Sequence, residues 1–340
     1  MGVDLSPILS DIKREITLDS LNNKKLAIDG YNALYQFITI IRGEDGTPLT
    51  DSSGRITSHL SGLFYRTVNF LEKGIKPVYV FDGKPPELKA KEISARMAIR
   101  NSAMKMYEEA KEKEDKELMR RYSMQAATLK SYMVDDARRL LELMGVPWVQ
   151  APGEGEAEAA YLTQRGHTWG SVSQDYDSLL FGSPRLLRNI TVSGKRKLPG
   201  KDVYVNISPE IIEMNEVLGK LGITREQLVD LAIIVGTDFN EGVKGIGPKK
   251  ALKLIKQNGT LEKIKEVISV IPEDLVKQVR DIFLRPNVTD VDKLEWRSPD
   301  EEGIISFLCG ERNFSEERVK NAIERIKKRP ASGALDEWFS

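Results

Sequence analysis

Three apolar runs of this sequence each lead into an aspartate: Asp29 in KKLAIDG (24–30), Asp82 in KPVYVFDG (76–83) and Asp175 in WGSVSQD (169–175). A fourth, VPWVQAP (146–152), passes through Gly153 into Glu154. These runs have the composition of short strands covered on both faces. In a parallel sheet, ligands bind at the carboxyl ends of the strands, so parallel pairing would gather these acids along one edge. A cluster of buried like charges is costly unless a cation neutralises it. Oxygen donors select Mg²⁺ or Mn²⁺, and only His59, His167 and Cys309 are present to serve a softer metal.

Two further acids extend the set. Asp177 lies two residues after Asp175, and on extended backbone both would point to one face. Glu156 follows Glu154 at the same spacing, but residues two apart do not share a helix face. Either both sit at an irregular helix start or one acts through water. Acids at a helix start are also favoured by the macrodipole alone. A single strand-end aspartate is commonly a cap, so the argument rests on the set.

The connecting segments must deliver this sheet. SHLSGLFYRTVNFLEKG (58–74) is long enough for a helical crossover, and strand–helix alternation predicts an α/β fold with a mostly parallel central sheet. LLRNITV (186–192) and DVYVN (202–206) read as a hairpin or edge strands. Residues 88–121 carry ten basic and seven acidic residues with sparse apolar positions. Helices this polar are not buried on a wide face, and a solvated helical hairpin turning around KEKEDKE is expected. After Ser208-Pro209 the pattern is helical to about residue 328, interrupted by GVKGIGPKKA (242–251). PASGALDEWFS reads as an exposed tail.

Lys plus Arg and Asp plus Glu number 51 each, so net charge says nothing of partners and only its distribution speaks. No apolar run reaches membrane-spanning length, and the N-terminus lacks a secretory layout. Cys309, the one cysteine, fits a reducing compartment and a buried structural thiol.

Taken in order, AIDGYNALYQF, SHLSGLFYRT, KPVYVFDGKPPELK, APGEGEAEAAYL, SQDYDSLLFG, IIVGTDFNEGVKGIGPKKAL and ISFLCGERNFSEERV resemble the flap endonuclease family from end to end. The resemblance implies a PIN-like 5′ nuclease fold with a seven-carboxylate, two-metal site on Asp29, Asp82, Glu154, Glu156, Asp175, Asp177 and Asp238. Strand logic alone does not reach Asp238, which lies in the helical half. The implied activity is structure-specific cleavage of 5′ flaps, with 5′–3′ exonuclease action on nicked or branched DNA. It would leave a 5′-phosphate and a 3′-hydroxyl, in lagging-strand maturation and base-excision repair. Two metals, Mg²⁺ with Mn²⁺ as a substitute, would polarise the scissile phosphate and activate water.

The resemblance divides the chain into a nuclease region at 1–83, a helical arch or gateway at 84–133, a second nuclease region at 134–328 and a clamp-binding tail at 329–340. Lys89 and Arg96, seven apart and so on one helical face, match the arch cations that stabilise phosphate charge. Arg100 lies close to the same stripe, and Tyr35 matches an aromatic that stacks on a base. GVKGIGPKKA matches a helix–two-turn–helix at 231–256 that grips duplex DNA and holds a monovalent cation, commonly K⁺. Lys244, Gly245, Gly247, Lys249 and Lys250 would face phosphate there. SGALDEWF resembles the segment by which replication proteins bind the sliding clamp PCNA, through Leu335, Trp338 and Phe339, with Ser332 replacing the usual glutamine. The short tail is more archaeal than eukaryotic, which implies a cytoplasmic nucleoid, or the nucleus for a eukaryotic chain, and a monomer is expected. The alternative reading is a non-catalytic DNA-binding scaffold tethered to the clamp, which a missing carboxylate would favour. A nuclease for Holliday junctions or bubbles and a small-molecule phosphatase are further readings. Long insertions would favour the bubble-cutting branch, and a phosphatase leaves the helix–two-turn–helix unexplained.

Overall fold

The structure is a computed structural model that describes residues 2–43, 46–191, 194–197 and 204–327. The strands are β1 (Arg14–Glu15), β2 (Lys25–Asp29), β3 (Lys76–Phe81), β4 (Trp148–Gln150), β5 (Gly170–Val172), β6 (Arg185–Arg188), β7 (Gly194–Lys197), β8 (Tyr204–Ile207) and β9 (Glu210–Glu213). A seven-stranded sheet has the order β1-β9-β6-β5-β2-β3-β4. Strands β2 to β6 run parallel, and β9 and β1 close one edge antiparallel, so the sheet is mixed but mostly parallel as expected.

The period-2 alternation of strand side chains divides the sheet's residues between two layers. Leu26, Ile28, Tyr79 and Phe81 join Leu34, Phe37, Leu63 and Phe64 from the Gly30–Ile40 and Ser58–Glu72 helices. Ala27, Val78 and Val80 face the other way, onto Ala159, Leu162 and Trp296. A third core, around Leu228, Ile233, Val279 and Phe283, holds the helical C-terminal half together.

The strand register brings the acids to one edge. Ile28 is level with both Tyr79 and Val172, and Asp29 with Val80, so β2, β3 and β5 all deliver their following residues to the same end of the sheet.

Four expectations are corrected. Residues 185–188 form a fifth parallel strand rather than a hairpin arm, because Leu186 and Leu187 are both buried between β5 and β9. The 202–206 piece contributes to β8, which pairs with β7 in a separate two-stranded ribbon. The region after Pro209 is not wholly helical, since Ile211 and Ile212 bury both faces of β9. Cys309 is half-buried, not a core thiol, and burial raises its pKa.

Residues 90–125 form the expected helical hairpin, Ala90–Glu112 followed by Lys116–Gln125. Glu114 adopts φ +54° at the turn, and Asp115 caps the second helix through the Glu117 and Leu118 amides. Among the described residues no helix is long and apolar enough to cross a membrane.

Candidate active site

Each carboxylate at the sheet edge is set by the element that follows its strand. Asp29 ends β2 and caps the next helix, its carboxylate accepting from the Asn32 amide at 2.9 Å. Asp82 follows β3 and accepts from the Gly155 amide at 2.6 Å. A Cβ on Gly155 would lie 2.6 Å from Asp82 Oδ1, so only glycine allows this approach. Glu154 is the N-cap residue of the Gly155–Gln164 helix, and Glu156 lies in its first turn. The irregular helix start therefore resolves the two-residue spacing. Glu156 accepts a hydrogen bond from Ser173 Oγ.

Asp175 and Asp177 are not on extended backbone. Strand β5 stops at Val172, and Asp177 opens the short Asp177–Leu180 helix. A turn through Ser173 carries Asp175, whose amide donates to Ser173 Oγ at 3.1 Å. Asn32 Nδ2 lies 3.4 Å from Asp175 Oδ2. Asp177 accepts from the Val3 amide at 2.9 Å, a contact between chain regions far apart in sequence. Neither Val3 nor Asn32 was among the sequence candidates, and nothing in the sequence signals that the N-terminal segment packs here.

Asp238 arrives from the helical half. The Arg225–Val235 helix ends at Gly236 (φ +109°), and the next turn is closed by Asn240 Nδ2 donating to Ile233 O at 2.7 Å. Phe239 buries against Phe283, which fixes the Asp238 backbone. The signal that marks this position is the polar turn Thr-Asp-Phe-Asn directly after a buried helix.

The acids form one continuous run of repelling charges. Burial raises Asp29 well above the usual carboxylate range, with Asp82 and Asp175 adding to it. Asp82 is pushed up to about 6 by burial and by Glu154. Glu156 is raised well above its ordinary value by burial and by Asp175, Asp177 and Asp29. Asp177 is pushed up to about 7 by burial, Asp238 and Asp175. The donor set is carboxylate oxygen throughout, the chemistry of a hard divalent cation. Among the described residues no three such donors stand close enough to share one ion.

Cations come from the helical hairpin. Lys89 Nζ pairs with Glu154 and lies 3.6 Å from Asp238. Burial lowers the Lys89 pKa, but Glu154, Asp238 and Asp82 more than offset this and hold it raised. Arg96 Nη2 lies 2.8 Å from Asp238 Oδ2. Lys89 and Arg96, which their spacing places on one face, therefore meet at Asp238. Tyr35 is half-buried rather than core, with the Arg100 guanidinium 5.2 Å from its ring centroid.

Two turns, at 237–240 and 243–246, join the Arg225–Val235 and Pro248–Asn258 helices, the second within the glycine-rich segment. Gly242 and Gly245 adopt φ +71° and +83°. Lys244, Gly245, Gly247, Lys249 and Lys250 are exposed along these turns and the following helix start. Leu335, Trp338 and Phe339 lie outside the described residues.

Comparison with known proteins agrees across the chain. The XPG N-terminal domain family matches residues 1–103, and the XPG I-region family matches residues 145–238. Flap endonuclease 1 of Staphylothermus marinus is 57% identical, covering 100% of both chains. Flap endonuclease 1 of Pyrococcus furiosus is 55% identical over 100% of this chain and 99% of its own. Among solved structures, flap endonuclease-1 from Methanococcus jannaschii aligns with TM-score 0.73 and 42% identity, covering 94% of this chain and 96% of that one. The catalytic core of Rad2 in complex with a DNA substrate aligns with TM-score 0.71 and 25% identity, over 96% and 100% of the two chains.

Proposed function

The chain belongs to the flap endonuclease family of structure-specific, metal-dependent nucleases, and from that premise we propose that its seven carboxylates hold two Mg²⁺ ions that hydrolyse 5′ flaps from branched DNA. The observation that carries this reading is the run of buried, mutually repelling acids beneath Lys89 and Arg96. Such a run stays fully ionised only when cations neutralise it. Asp29, Asp82, Glu154, Glu156, Asp175, Asp177 and Asp238 would hold the metals, with Mn²⁺ able to replace Mg²⁺. When bound, such a pair polarises a phosphodiester and activates water.

The remaining chemistry belongs to the protein's own groups. Lys89 and Arg96 stabilise negative charge on the phosphate that enters above the acids. Tyr35 stacks on a base beside the scissile bond. The helix–two-turn–helix grips the duplex through Lys244, Lys249, Lys250 and the backbone of Gly245 and Gly247. It also holds K⁺. Arg100 contacts the strand that passes beneath the arch at 84–133. The tail docks a sliding clamp through Leu335, Trp338 and Phe339, supported by an apolar and aromatic pattern at the end of the chain. The working form is a monomer in the cytoplasm.

One set of incubations tests the reading. Labelled double-flap, nicked, bubble and single-stranded DNAs are treated with and without Mg²⁺, and with and without clamp, using the full chain and a chain lacking 332–339. Cutting at the flap base only with Mg²⁺, stimulated by clamp only in the full chain, is expected. Flap DNA bound but never cut in Mg²⁺ or Mn²⁺ would return the scaffold reading.

A further inference from the structure

Glu158 belongs to the helix that carries Glu154 and Glu156, yet it faces away from the site. It is fully buried. One carboxylate oxygen accepts from the Thr289 amide at 2.8 Å, and the other has no hydrogen-bond partner. A buried carboxylate with a single bond is costly to keep. Thr289 belongs to residues 285–300, which join the Glu273–Leu284 helix to the Glu301–Ile305 helix without regular secondary structure.

This strap is fastened along its length. Trp296 Nε1 donates to Pro77 O at 2.9 Å, and the Arg297 amide donates to Gly145 O at 2.8 Å. Val291 and Leu294 pack on the sheet face that holds Ala159 and Leu162. Tyr161, from the same helix as Glu158, donates to Asp290 at 2.7 Å. The strap also closes on the loop before the helix, where a Cβ on Gly153 would come 3.4 Å from Asn287 O.

The helix start is thus held from two sides. Ser173 holds Glu156 from the sheet, while Thr289 holds Glu158 from the strap. At about 100° per residue, Glu156 and Glu158 lie about 200° apart, on opposite faces of the helix. Fixing two opposed faces of one turn fixes its rotation, and that rotation aims both metal-facing carboxylates. We propose that Glu158 is a positioning residue, locking the helix to the strap so that Glu154 and Glu156 present their oxygens to the metals. This rests on the two-metal reading above.

The test is calorimetric titration of Mn²⁺ into the full chain without DNA, alongside thermal unfolding. Glu158→Ala and Glu158→Leu should each weaken Mn²⁺ binding by about 10-fold, as loss of groups that orient metal ligands does. Glu158→Gln keeps an oxygen acceptor for the Thr289 amide and should retain parental affinity. The leucine variant fills the same volume, so its unfolding midpoint should stay near the parent's and separate aiming from general destabilisation. Glu156→Ala controls the underlying reading: unchanged Mn²⁺ binding there would remove the metal site itself. If Glu156→Ala loses binding while Glu158→Leu keeps the parental affinity, the positioning role is overturned and the metal site stands.

Discussion

The floor of the site and the arch above it carry complementary charge but are built by opposite means. The floor places acids where the fold dictates: at the end of β2, after β3, and on two helix starts, with Asp29, Asp82 and Asp177 each held by a backbone amide. These carboxylates cannot leave without unmaking the sheet edge. The arch has almost no core of its own, since Ala103 and Ala110 are the only buried residues of its long helix. Met97, Ile99, Met104 and Met106 are exposed along it. Its anchorage is polar: Lys89 to Glu154, Arg96 to Asp238, Lys91 to Glu241, and Arg42 Nη2 to the Ser123 carbonyl at 3.1 Å. A region with few buried apolar contacts opens at lower free energy than a packed sheet. On the proposed two-metal reading, the cations above can part for a phosphate at lower cost than the acids below can shift.

The comparison breaks first if a floor residue proves dispensable. Asp175→Ala should lower Mg²⁺-dependent cleavage by several orders of magnitude, with flap-DNA affinity measured in Ca²⁺ changed only a few fold. Substantial cleavage by that variant would take Asp175 out of the metal site.

The arch should show a smaller and different loss. A cation that touches only a distant phosphate contributes affinity, and its removal flattens the salt dependence by about one unit of slope. A cation aimed at charge developing in the transition state lowers the chemical step instead. Lys89→Ala and Arg96→Ala should each slow single-turnover cleavage at saturating enzyme by about 10²–10³-fold, the usual cost of deleting one such donor. Because both side chains meet at Asp238, the double variant should lose less than the product of the single losses. Full rate restored by excess enzyme would make the arch a guide for the flap and nothing more.

What could be read from sequence follows the same division. The strands β2 and β3 were legible because long runs of buried β-formers end in an acid, and parallel pairing then fixes where the acids go. The arch was legible as charge without apolar periodicity. Asp238 escaped strand logic because it depends on a turn packed by Phe239 and Phe283, which is tertiary information. The Asp175–Asp177 spacing suits extended backbone, whereas a turn at Ser173 and a helix start bring the pair in. Strand β9 was hidden because Glu-Ile-Ile-Glu is too short to separate period 2 from period 3.6. The contact of Val3 with Asp177 and the strap across Glu158 join residues far apart in the chain, where no local pattern reaches.

The smallest expected effect concerns the floor alone, and it has a definite sign. The folded-state pKa values of Asp82 and Asp177 lie at about 6 and about 7, above the ordinary 3.8. Between roughly pH 4 and pH 7 these two carboxyls therefore hold protons in the folded chain that they release in the unfolded chain. The contribution of Asp82 and Asp177 to the stability of the metal-free protein falls as pH rises through that window, while His59, whose imidazole burial pushes down to about 3, contributes in the opposite sense. Divalent metal binds the deprotonated acids, so its affinity rises over the same range. A metal at a hundredfold excess over its Kd adds about 2.7 kcal/mol. For a chain of this size that raises the unfolding midpoint by roughly 4 °C. The difference between midpoints with and without Mg²⁺ should thus be small at pH 5 and grow toward pH 7.5. Lys89→Ala should lower the metal-free midpoint most at the high-pH end, where Asp82 is charged and has lost the ammonium that offsets its charge. A difference that stays flat with pH would mean that the floor acids are already neutralised without metal, and the contrast with the arch would lose its electrostatic basis.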